Sequence, residues 1–471
     1  MALSLPLSTW RSGIYLIAIV GFVIALKGLS SPRQARKGNL IGAAAAVLAI
    51  AITFSAGSVN HSARNLALSL AAMALGAAVA VPTARMVKMT AIPQLVAVFN
   101  GVGGAAAALI SIGELLHMHS VGVSPATYEA VEAVLGVLIG SVSFAGSAIA
   151  FAKLQEMMAT RPIVYPAQQP INAVVAGGVL ALMLLTIVTN SVGFAFGVLG
   201  LSLVLGVVFV LPIGGADVPV LISLLNSFTG LAVAASGFTL GNNLLIVAGI
   251  LVGAAGMLLT RLMSKAMGRS LPNILFSAFG AVVTATGAAE GTEGRSVRTS
   301  TPDDVGVLLA YARKVVIVPG YGLAVAQAQH VAKELADSLA ARGVDVFYAI
   351  HPVAGRMPGH MNVLLAEANV PYDELKEMDE ANQQLPTADV ALVVGANDTV
   401  NPAANDTPGS PIYGMPIIHA DQAQHVVFLK RSMRPGFAGI DNELLFDDRT
   451  VLLFGDAKDT LQKLVTAVGA A

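Results

Sequence analysis

Long apolar segments recur through the first 270 residues of this chain, and they constrain its fold more than any other feature. Nine of them approach the roughly 20 apolar residues that an α-helix needs to cross a bilayer core. The predicted spans cover residues 8–29, 39–57, 63–82, 94–117, 130–152, 171–190, 192–212, 217–238 and 243–264. The only break between the sixth and seventh spans is the short polar segment Thr189–Ser191. Charged residues make up 12% of the chain, about half the share in soluble proteins, so most of it is expected in lipid.

Lysine and arginine are concentrated in alternate loops, which predicts the orientation of the chain in the membrane. The first, third and fifth loops and the segment after the ninth span carry most of them: Lys27, Arg33, Arg36, Lys37, Arg85, Lys88, Lys153, Arg161, Arg261, Lys265 and Arg269. Because positively charged loops stay on the cytoplasmic side, we expect the N-terminus outside and the C-terminal residues in the cytoplasm. An odd number of spans satisfies this arrangement.

The last 160 or so residues have the composition of a soluble domain, and strand and helix patterns alternate along them. The predicted strands are Val315–Val318, Val344–Ile350, Val390–Val394, Ile417–Ile418, Val426–Leu429 and Val451–Phe454. The predicted helices are one that begins with Thr301 as its cap, then Ala324–Ala341, Met361–Glu367 and Thr460–Val468. This alternation predicts a Rossmann-like, doubly wound parallel sheet.

The chain is therefore expected to combine a multi-span α-helical membrane domain with a C-terminal α/β domain. We place the transmembrane domain at residues 1–265, a linker at 266–300 and the Rossmann-like domain at 301–471. The linker contains Gly287–Arg295, a glycine-rich charged stretch without periodicity. The chain has no cysteine, which excludes thiolate metal sites, and its net charge of −1 gives no indication of nucleic-acid binding.

A glycine turn follows the first predicted strand of the soluble domain. Gly320 and Gly322 stand directly after this strand and before a helix-permissive run, which is how dinucleotide-binding folds hold a pyrophosphate. The third glycine of the usual G-x-G-x-x-G pattern is replaced by Val325. The pattern is therefore partial, and alone it is a weak indication of nucleotide binding.

Two cations and a hydroxyl favour NADP(H) over NAD(H). An NAD site usually places an acidic residue at the end of the second strand to bind the ribose, but that strand ends here at His351. Lys430, Arg431 and Ser432 instead follow a later strand, and such side chains suit a 2′-phosphate. The alternative is an ordinary solvated basic turn, which the position at the presumed ligand edge disfavours.

Few polar residues are expected at membrane depth. Asn100, Asn226 and Ser227 lie inside spans, whereas Asp217 and Glu132 lie at the start of theirs. A hydrogen bond between helices explains the two asparagines about as well as a proton path does. No span has an acidic or basic residue at its centre, so we do not expect this chain alone to be a complete proton pump.

Several long segments of the chain resemble one known family. They are Pro319–Gln329, His351–Ala368, Gly395–Ala404 and Lys430–Met433, with Gly214–Asp217 and Leu225–Ser227 in the membrane half. They are similar to segments of the β subunit of proton-translocating nicotinamide nucleotide transhydrogenases. The resemblance covers nearly the whole chain and implies NADP(H) in the C-terminal domain and NAD(H) on a separate α subunit with additional membrane helices.

The resemblance also implies an activity and an assembly. Hydride would pass from NADH to NADP⁺ with Re/Si specificity, coupled to inward proton translocation across a plasma or inner membrane. The α and β subunits would assemble as a dimer of pairs in the lipid bilayer. The alternative from another class is a membrane transporter whose cytoplasmic domain senses NADP(H) without chemistry.

The resemblance assigns roles to particular residues. The cofactor-binding residues would be Gly320, Tyr321, Gly322, Val325, Ala326, Arg356, Gly395, Asn397, Asp398, Lys430, Arg431 and Ser432. Asp398 would be the catalytic residue near the nicotinamide, and the proton path would include Asn100, Glu132, Asp217, Asn226 and Ser227. Many family members carry a histidine where this chain has Asn100, and asparagine does not take up a proton near neutral pH. A histidine on a partner helix would then substitute.

Overall fold

The computed structural model describes most of the chain. The described residues are 7–55, 63–159, 163–214, 217–267, 270–276, 296–356, 359–408, 410, 412–436 and 438–471. The predicted glycine-rich stretch at Gly287–Arg295 lies outside them, as do residues 56–57 at the end of the second predicted span. The predicted domain boundaries at residues 265 and 301 therefore stay predictions.

The described residues contain nine helices that are long and apolar enough to cross a membrane. They are α1 (Leu7–Leu29), α2 (Pro32–Ser55), α3 (Ala63–Met86), α4 (Ile92–Ser120), α5 (Thr127–Leu154), α6 (Gln168–Thr189), α7 (Val192–Val210), α8 (Val218–Thr239) and α9 (Asn243–Ala266). Each predicted span falls on one of these helices, so the prediction of nine spans is confirmed. A short helix, α10 (Leu271–Phe276), follows within the predicted linker.

The separation of the sixth and seventh spans has a local cause. Asn190 ends α6 in the left-handed region, with φ of 49°, a conformation that asparagine tolerates better than most residues. Ser191 is extended and α7 begins at the next residue. The predicted break at this short polar segment is therefore confirmed.

Small residues bring membrane helices into backbone contact. A Cβ atom built on Gly140 of α5 would lie 2.5 Å from the carbonyl oxygen of Gly104 on α4. The same atom built on Gly249 of α9 would lie 2.5 Å from the amide nitrogen of Ala234 on α8. These glycines let neighbouring helices approach closely, as small residues do at the interfaces between membrane helices.

The C-terminal residues form a six-stranded parallel sheet in the order β3-β2-β1-β4-β5-β6. The strands are β1 (Lys314–Pro319), β2 (Asp345–Ile350), β3 (Leu375–Glu377), β4 (Val390–Val394), β5 (His425–Lys430) and β6 (Thr450–Phe454). The helices are α11 (Pro302–Ala310), α12 (Tyr321–Val325), α13 (Gln329–Ala340), α14 (His360–Glu367), α15 (Met378–Gln384), α16 (Ala403–Asp406) and α17 (Ala457–Ala470). The predicted Rossmann-like, doubly wound sheet is confirmed.

Apolar strand residues form the core of this sheet. Val316, Val393 and Phe428, from three neighbouring strands, are buried in one cluster. Such continuous β-branched runs are typical of parallel strands covered on both faces. The helix that precedes the sheet begins as predicted, because the Thr301 hydroxyl accepts a hydrogen bond from the Asp304 amide.

Two local predictions were wrong, and one strand was missed. Ile417 and Ile418 are buried but do not form a strand, and the edge strand β3 was not predicted. The helix expected over Ala324–Ala341 is two helices, α12 and α13, because Gln327 adopts a left-handed conformation with φ of 50° between them.

Candidate nucleotide-binding site

The order of the strands creates a crevice at the carboxyl ends of β1 and β4. These strands are neighbours, and the chain continues from β1 to β2 on one side and from β4 to β5 on the other. Parallel α/β sheets bind their ligands at such a switch point, outside the carboxyl ends of the strands. The turns that follow β1 and β4 therefore define the candidate site.

These two turns pack backbone against backbone. The amide of Gly320 donates to the carbonyl of Val394, and the amide of Gly322 donates to the carbonyl of Gly395, both at 2.9 Å. A Cβ atom on Gly320 would lie 2.3 Å from the oxygen of Gly395, which itself has φ of +70°. Only glycine permits this contact, so the glycines fix the two turns as one surface.

The missing third glycine has a structural explanation. Val325 is the last residue of α12, and its side chain is 46% exposed. Ala326 follows it and leads into the left-handed Gln327. Because α12 ends here instead of continuing along the sheet, the side chain at 325 meets solvent and need not be glycine.

Tyr321 pairs with the loop that follows β2. The guanidinium carbon of Arg356 lies 4.7 Å from the centre of the Tyr321 ring, which is within cation–π distance. Arg356 is half-buried. The contact places a cation beside the glycine turn, where a phosphate group of a nucleotide could meet both.

His351 anchors the base of the same loop, a role that sequence reasoning missed. Its Nε2 atom lies 2.7 Å from the carbonyl oxygen of Pro416, and its Nδ1 atom accepts from the amide of Val353 at 3.2 Å. Burial lowers the pKa of His351 to about 4, against a smaller opposing effect of the Pro416 contact. The neutral ring therefore donates to Pro416 and accepts from Val353, which ties two loops together.

Asp398 holds the segment that follows β5. Its Oδ2 atom accepts from the amide of Ala438 at 2.8 Å, and its Oδ1 atom accepts from the Asn397 side chain at 3.1 Å. A Cβ atom on Gly436 would lie 2.3 Å from Oδ1. The carboxylate thus contacts this segment on both sides of residue 437, and a change at Asp398 would alter how the segment is held.

Lys430 is joined to this carboxylate through an amide. Its Nζ atom donates to the Asn397 Oδ1 atom at 3.0 Å. Burial lowers the pKa of Lys430, and the nearby carboxylates of Asp398 and Asp441 oppose that shift. Arg431 is exposed, and the Ser432 hydroxyl accepts from Arg434 at 3.4 Å.

The structure thus brings most of the predicted cofactor residues to one edge of the sheet. Gly320, Gly322 and Gly395 contact one another, and Asn397, Asp398 and Lys430 form one hydrogen-bonded chain. A further participant that the sequence did not reveal is the buried Asn442. Its side-chain amide donates to the carbonyl of Asn397 at 3.1 Å. These residues are 45 positions apart, and no local pattern predicts such a bond.

In the membrane helices, Asn100 belongs to a polar cluster that spans α4, α5 and α8. Its amide donates to the hydroxyls of Ser143 at 3.3 Å and Ser147 at 2.9 Å. The Ser143 hydroxyl also lies 2.5 Å from that of Thr229 and donates to the carbonyl of Leu225 at 2.9 Å. Ser143, Ser147 and Thr229 were not predicted. Single hydroxyl residues within a span give no sequence signal for a polar cluster, because the cluster forms only when the helices pack together.

The structure also describes the other four residues that were predicted to lie on the proton path. Ser227 donates to the carbonyl of Gly253 on α9 at 2.6 Å, and Asn226 is half-buried on α8. Glu132 precedes Ser143 by eleven residues of α5, which is about 16 Å along a helix. Asp217 is 6% exposed at the start of α8.

Known proteins match this chain over nearly its whole length. The family model described as NAD(P) transhydrogenase beta subunit matches residues 11–467. A curated protein named NAD(P) transhydrogenase subunit beta, from Rhodospirillum rubrum, is 49% identical over 460 residues, which cover 96% of this chain and 98% of that protein. A second protein of that name, from a designated strain of the same organism, matches with the same identity and coverage.

Proposed function

Because this chain belongs to the family of NAD(P) transhydrogenase beta subunits and is an integral membrane protein, we propose that its C-terminal domain binds NADP(H). We further propose that it exchanges hydride with NAD(H) held by an alpha subunit and couples this exchange to proton movement across the membrane. Bound NADP(H) supplies the hydride chemistry, whereas the protein supplies binding, orientation and charge. No nucleophile or metal ion is required for that task.

The observation that carries this proposal is the apposition of the two glycine turns at the switch point. Their contact joins the ends of β1 and β4 into one backbone surface, at the position where dinucleotide-binding folds hold a pyrophosphate. Arg356, stacked on Tyr321, would balance the phosphate charge. Lys430, Arg431 and Ser432 would hold the 2′-phosphate, and Asp398 would lie toward the nicotinamide end.

The residues present fit a phosphorylated dinucleotide better than an unphosphorylated one. The residue that follows β2 is the buried, neutral His351, which offers no carboxylate to a ribose hydroxyl. Lys430 is half-buried beside Asn397 and Asp398, at the end of β5. A cation held in this way would favour a dianionic phosphate, because an ionised phosphate replaces the water that Lys430 loses on burial.

Coupling would depend on two states of the segment held by Asp398. Proton movement can drive hydride exchange only if NADP⁺ and NADPH are bound with different affinity in these states. The bond between Asp398 and the Ala438 amide is one that a change in charge or nucleotide would strengthen or break. We therefore assign Asp398 the role of linking the bound nucleotide to this segment.

The membrane helices would provide part of a proton path in which another chain carries the titrating group. Asn100 is bonded to two serine hydroxyls but does not itself titrate near neutral pH. Together with Ser227, Asn226, Asp217 and Glu132 it would line or gate the path, with the N-terminus outside and the C-terminal domain in the cytoplasm.

The test uses the chain produced together with its alpha subunit in sealed inverted membrane vesicles. Reduction of an NAD analogue by NADPH is followed by absorbance. Acidification of the vesicle interior is followed by the quenching of a pH-sensitive dye. We expect both signals, and an uncoupler should abolish the dye response alone. Nucleotide binding without hydride exchange would instead support an NADP(H)-sensing transporter.

A further inference from the structure

His360 is the first residue of α14 and is fully buried, yet it contacts two parts of the candidate site. Its Nδ1 atom accepts a hydrogen bond of 3.0 Å from the backbone amide of Arg356. Its ring centre lies 6.2 Å from that of Tyr321, with the rings tilted by 53°. Because the Arg356 guanidinium in turn lies over Tyr321, His360 supports both members of the cation–π pair.

The backbone of the Arg356 loop rests directly on the imidazole. Gly355 has φ of +107°, and a Cβ atom there would lie 2.3 Å from the His360 Nδ1 atom. Glycine is thus required at this position both by its dihedral angle and by the closeness of the ring. The consequence is that the position of Arg356 depends on the position and chemistry of His360.

Packing alone does not explain a histidine at this position. Since Nδ1 accepts a hydrogen bond, Nε2 of the neutral ring carries the proton. Nε2 is buried and has no hydrogen-bond partner in the part of the chain that the structure describes. A buried unpaired donor is unfavourable, and leucine would fill a similar volume without one, so the acceptor at Nδ1 is the feature that distinguishes histidine here.

The ring is held in the form that can accept this bond. Burial, followed by the charge of Arg356, lowers the pKa of His360. The neutral form therefore prevails, and Nδ1 stays available to the Arg356 amide. Met361, the next residue of α14, is completely buried, which fixes the start of the helix and with it the imidazole.

We propose that His360 is a positioning residue that fixes Arg356 and Tyr321 as one preformed surface for the pyrophosphate of the nucleotide. A preformed surface binds more tightly because less ordering is required when the ligand arrives. The inference rests on the proposed function, since it takes the ligand beside Arg356 to be NADP(H). His360 itself acts through the two residues that it holds.

Two substitutions distinguish the effect of the hydrogen-bond acceptor at residue 360 from the effect of side-chain volume. His360→Leu keeps an apolar side chain but removes the acceptor, whereas His360→Asn offers an amide oxygen in place of Nδ1. The dissociation constant of NADPH is measured by nucleotide fluorescence on the purified full-length chain in detergent. We expect His360→Leu to weaken NADPH binding about tenfold, the equivalent of one lost hydrogen bond, and His360→Asn to stay within about threefold of the native chain.

His425→Leu is the matched control. His425 is exposed at the amino-terminal end of β5, whereas the candidate site lies at the carboxyl ends of the strands. Native affinity in both His360 variants would overturn the inference. Equal weakening in both, with equal loss of thermal stability, would reduce His360 to a purely structural residue and also overturn it. A native chain that binds NADPH no better than NADH would instead show that the proposed function has failed.

Discussion

At the scale of single residues, Asn397 connects charges that would otherwise be separate. Its side-chain oxygen accepts from Lys430, its side-chain nitrogen donates to Asp398, and its backbone carbonyl accepts from Asn442. A cation and a carboxylate are thus linked through a neutral amide. Because charge-assisted hydrogen bonds are about twice as strong as neutral ones, loss of either charge should disturb the other.

The first prediction concerns the cations at the end of β5. We expect Lys430→Ala combined with Arg431→Ala to weaken NADPH binding by about two orders of magnitude, since hydrogen bonds to charged groups contribute roughly 1.5–3 kcal/mol each. Adenine nucleotides without a 2′-phosphate should bind almost as before. Titration of the full-length chain by calorimetry measures both affinities.

Lys463→Ala provides the control, because Lys463 is an exposed cation two turns into α17. It should leave both affinities unchanged. An equal loss for phosphorylated and unphosphorylated nucleotides in the double variant would contradict the assignment of a 2′-phosphate site to Lys430 and Arg431.

At the scale of elements, prediction from sequence succeeded where a pattern is local. The membrane spans were found because each depends only on about 20 consecutive residues, and β1 and β4 because their apolar runs are unbroken. The edge strand Leu375–Glu377 has three residues, two of them charged, so it carries no such signal. Ile417 packs against the nearby Ala404, Ile412 and Met415, and Ile418 packs into the core of the sheet. Both are buried without belonging to a strand, and a run of apolar residues alone does not distinguish the two cases.

The candidate site was likewise predictable only where its residues belong to a local sequence pattern. The glycines and the basic residues after β5 were recognised because each follows a strand. The roles of His351 and Asn442 depend on bonds to Pro416 and Asn397, at separations of 65 and 45 residues. Such bonds arise only when the loops are folded against each other.

The second prediction tests the contact between the two glycine turns. In Gly320→Ala the new methyl group would meet the Gly395 oxygen, so the turns must separate. Overpacking of this kind typically costs about 1–3 kcal/mol, and we expect a lower melting temperature together with weaker NADPH binding. Gly469→Ala, where a Cβ atom has no neighbour within 4 Å, should change neither quantity; an unaffected Gly320→Ala variant would show that the turns are not in contact.

The third prediction follows from the neutral state of His351. Its pKa falls from 6.5 to about 4 on folding, so the unfolded chain takes up a proton before the folded one. The stability due to neutral His351 is complete above pH 6.5 and is lost as the pH falls from 6.5 towards 4. The slope is at most about 1.4 kcal/mol per pH unit.

His351→Gln keeps a donor for Pro416 but does not titrate, so it should be less sensitive to acid than the native chain. Thermal unfolding of the C-terminal domain at pH 7 and pH 5 measures the difference. His425→Gln, at an exposed site, should behave like the native chain. Identical acid sensitivity in the native chain and in His351→Gln would refute the prediction.

At the scale of the whole molecule, the proposed function requires that the C-terminal domain lie on the cytoplasmic side. The distribution of lysine and arginine between loops predicts this orientation, and an odd number of spans, such as the nine found among the described residues, would place the two termini on opposite sides. We expect a reporter fused after Ala471 to be protected from protease in intact cells and cleaved in inverted vesicles. The reverse pattern would contradict both the orientation and access of the domain to cytoplasmic nucleotides.

The central claim is that the C-terminal domain binds a nicotinamide nucleotide that carries a 2′-phosphate. Its most direct test is to titrate the purified full-length chain, without its alpha subunit, with NADPH and with NADH in the same detergent. We expect NADPH to bind at least about 100-fold more tightly than NADH, which corresponds to roughly 2.7 kcal/mol. Equal affinity for the two nucleotides, or tighter binding of NADH, would contradict it.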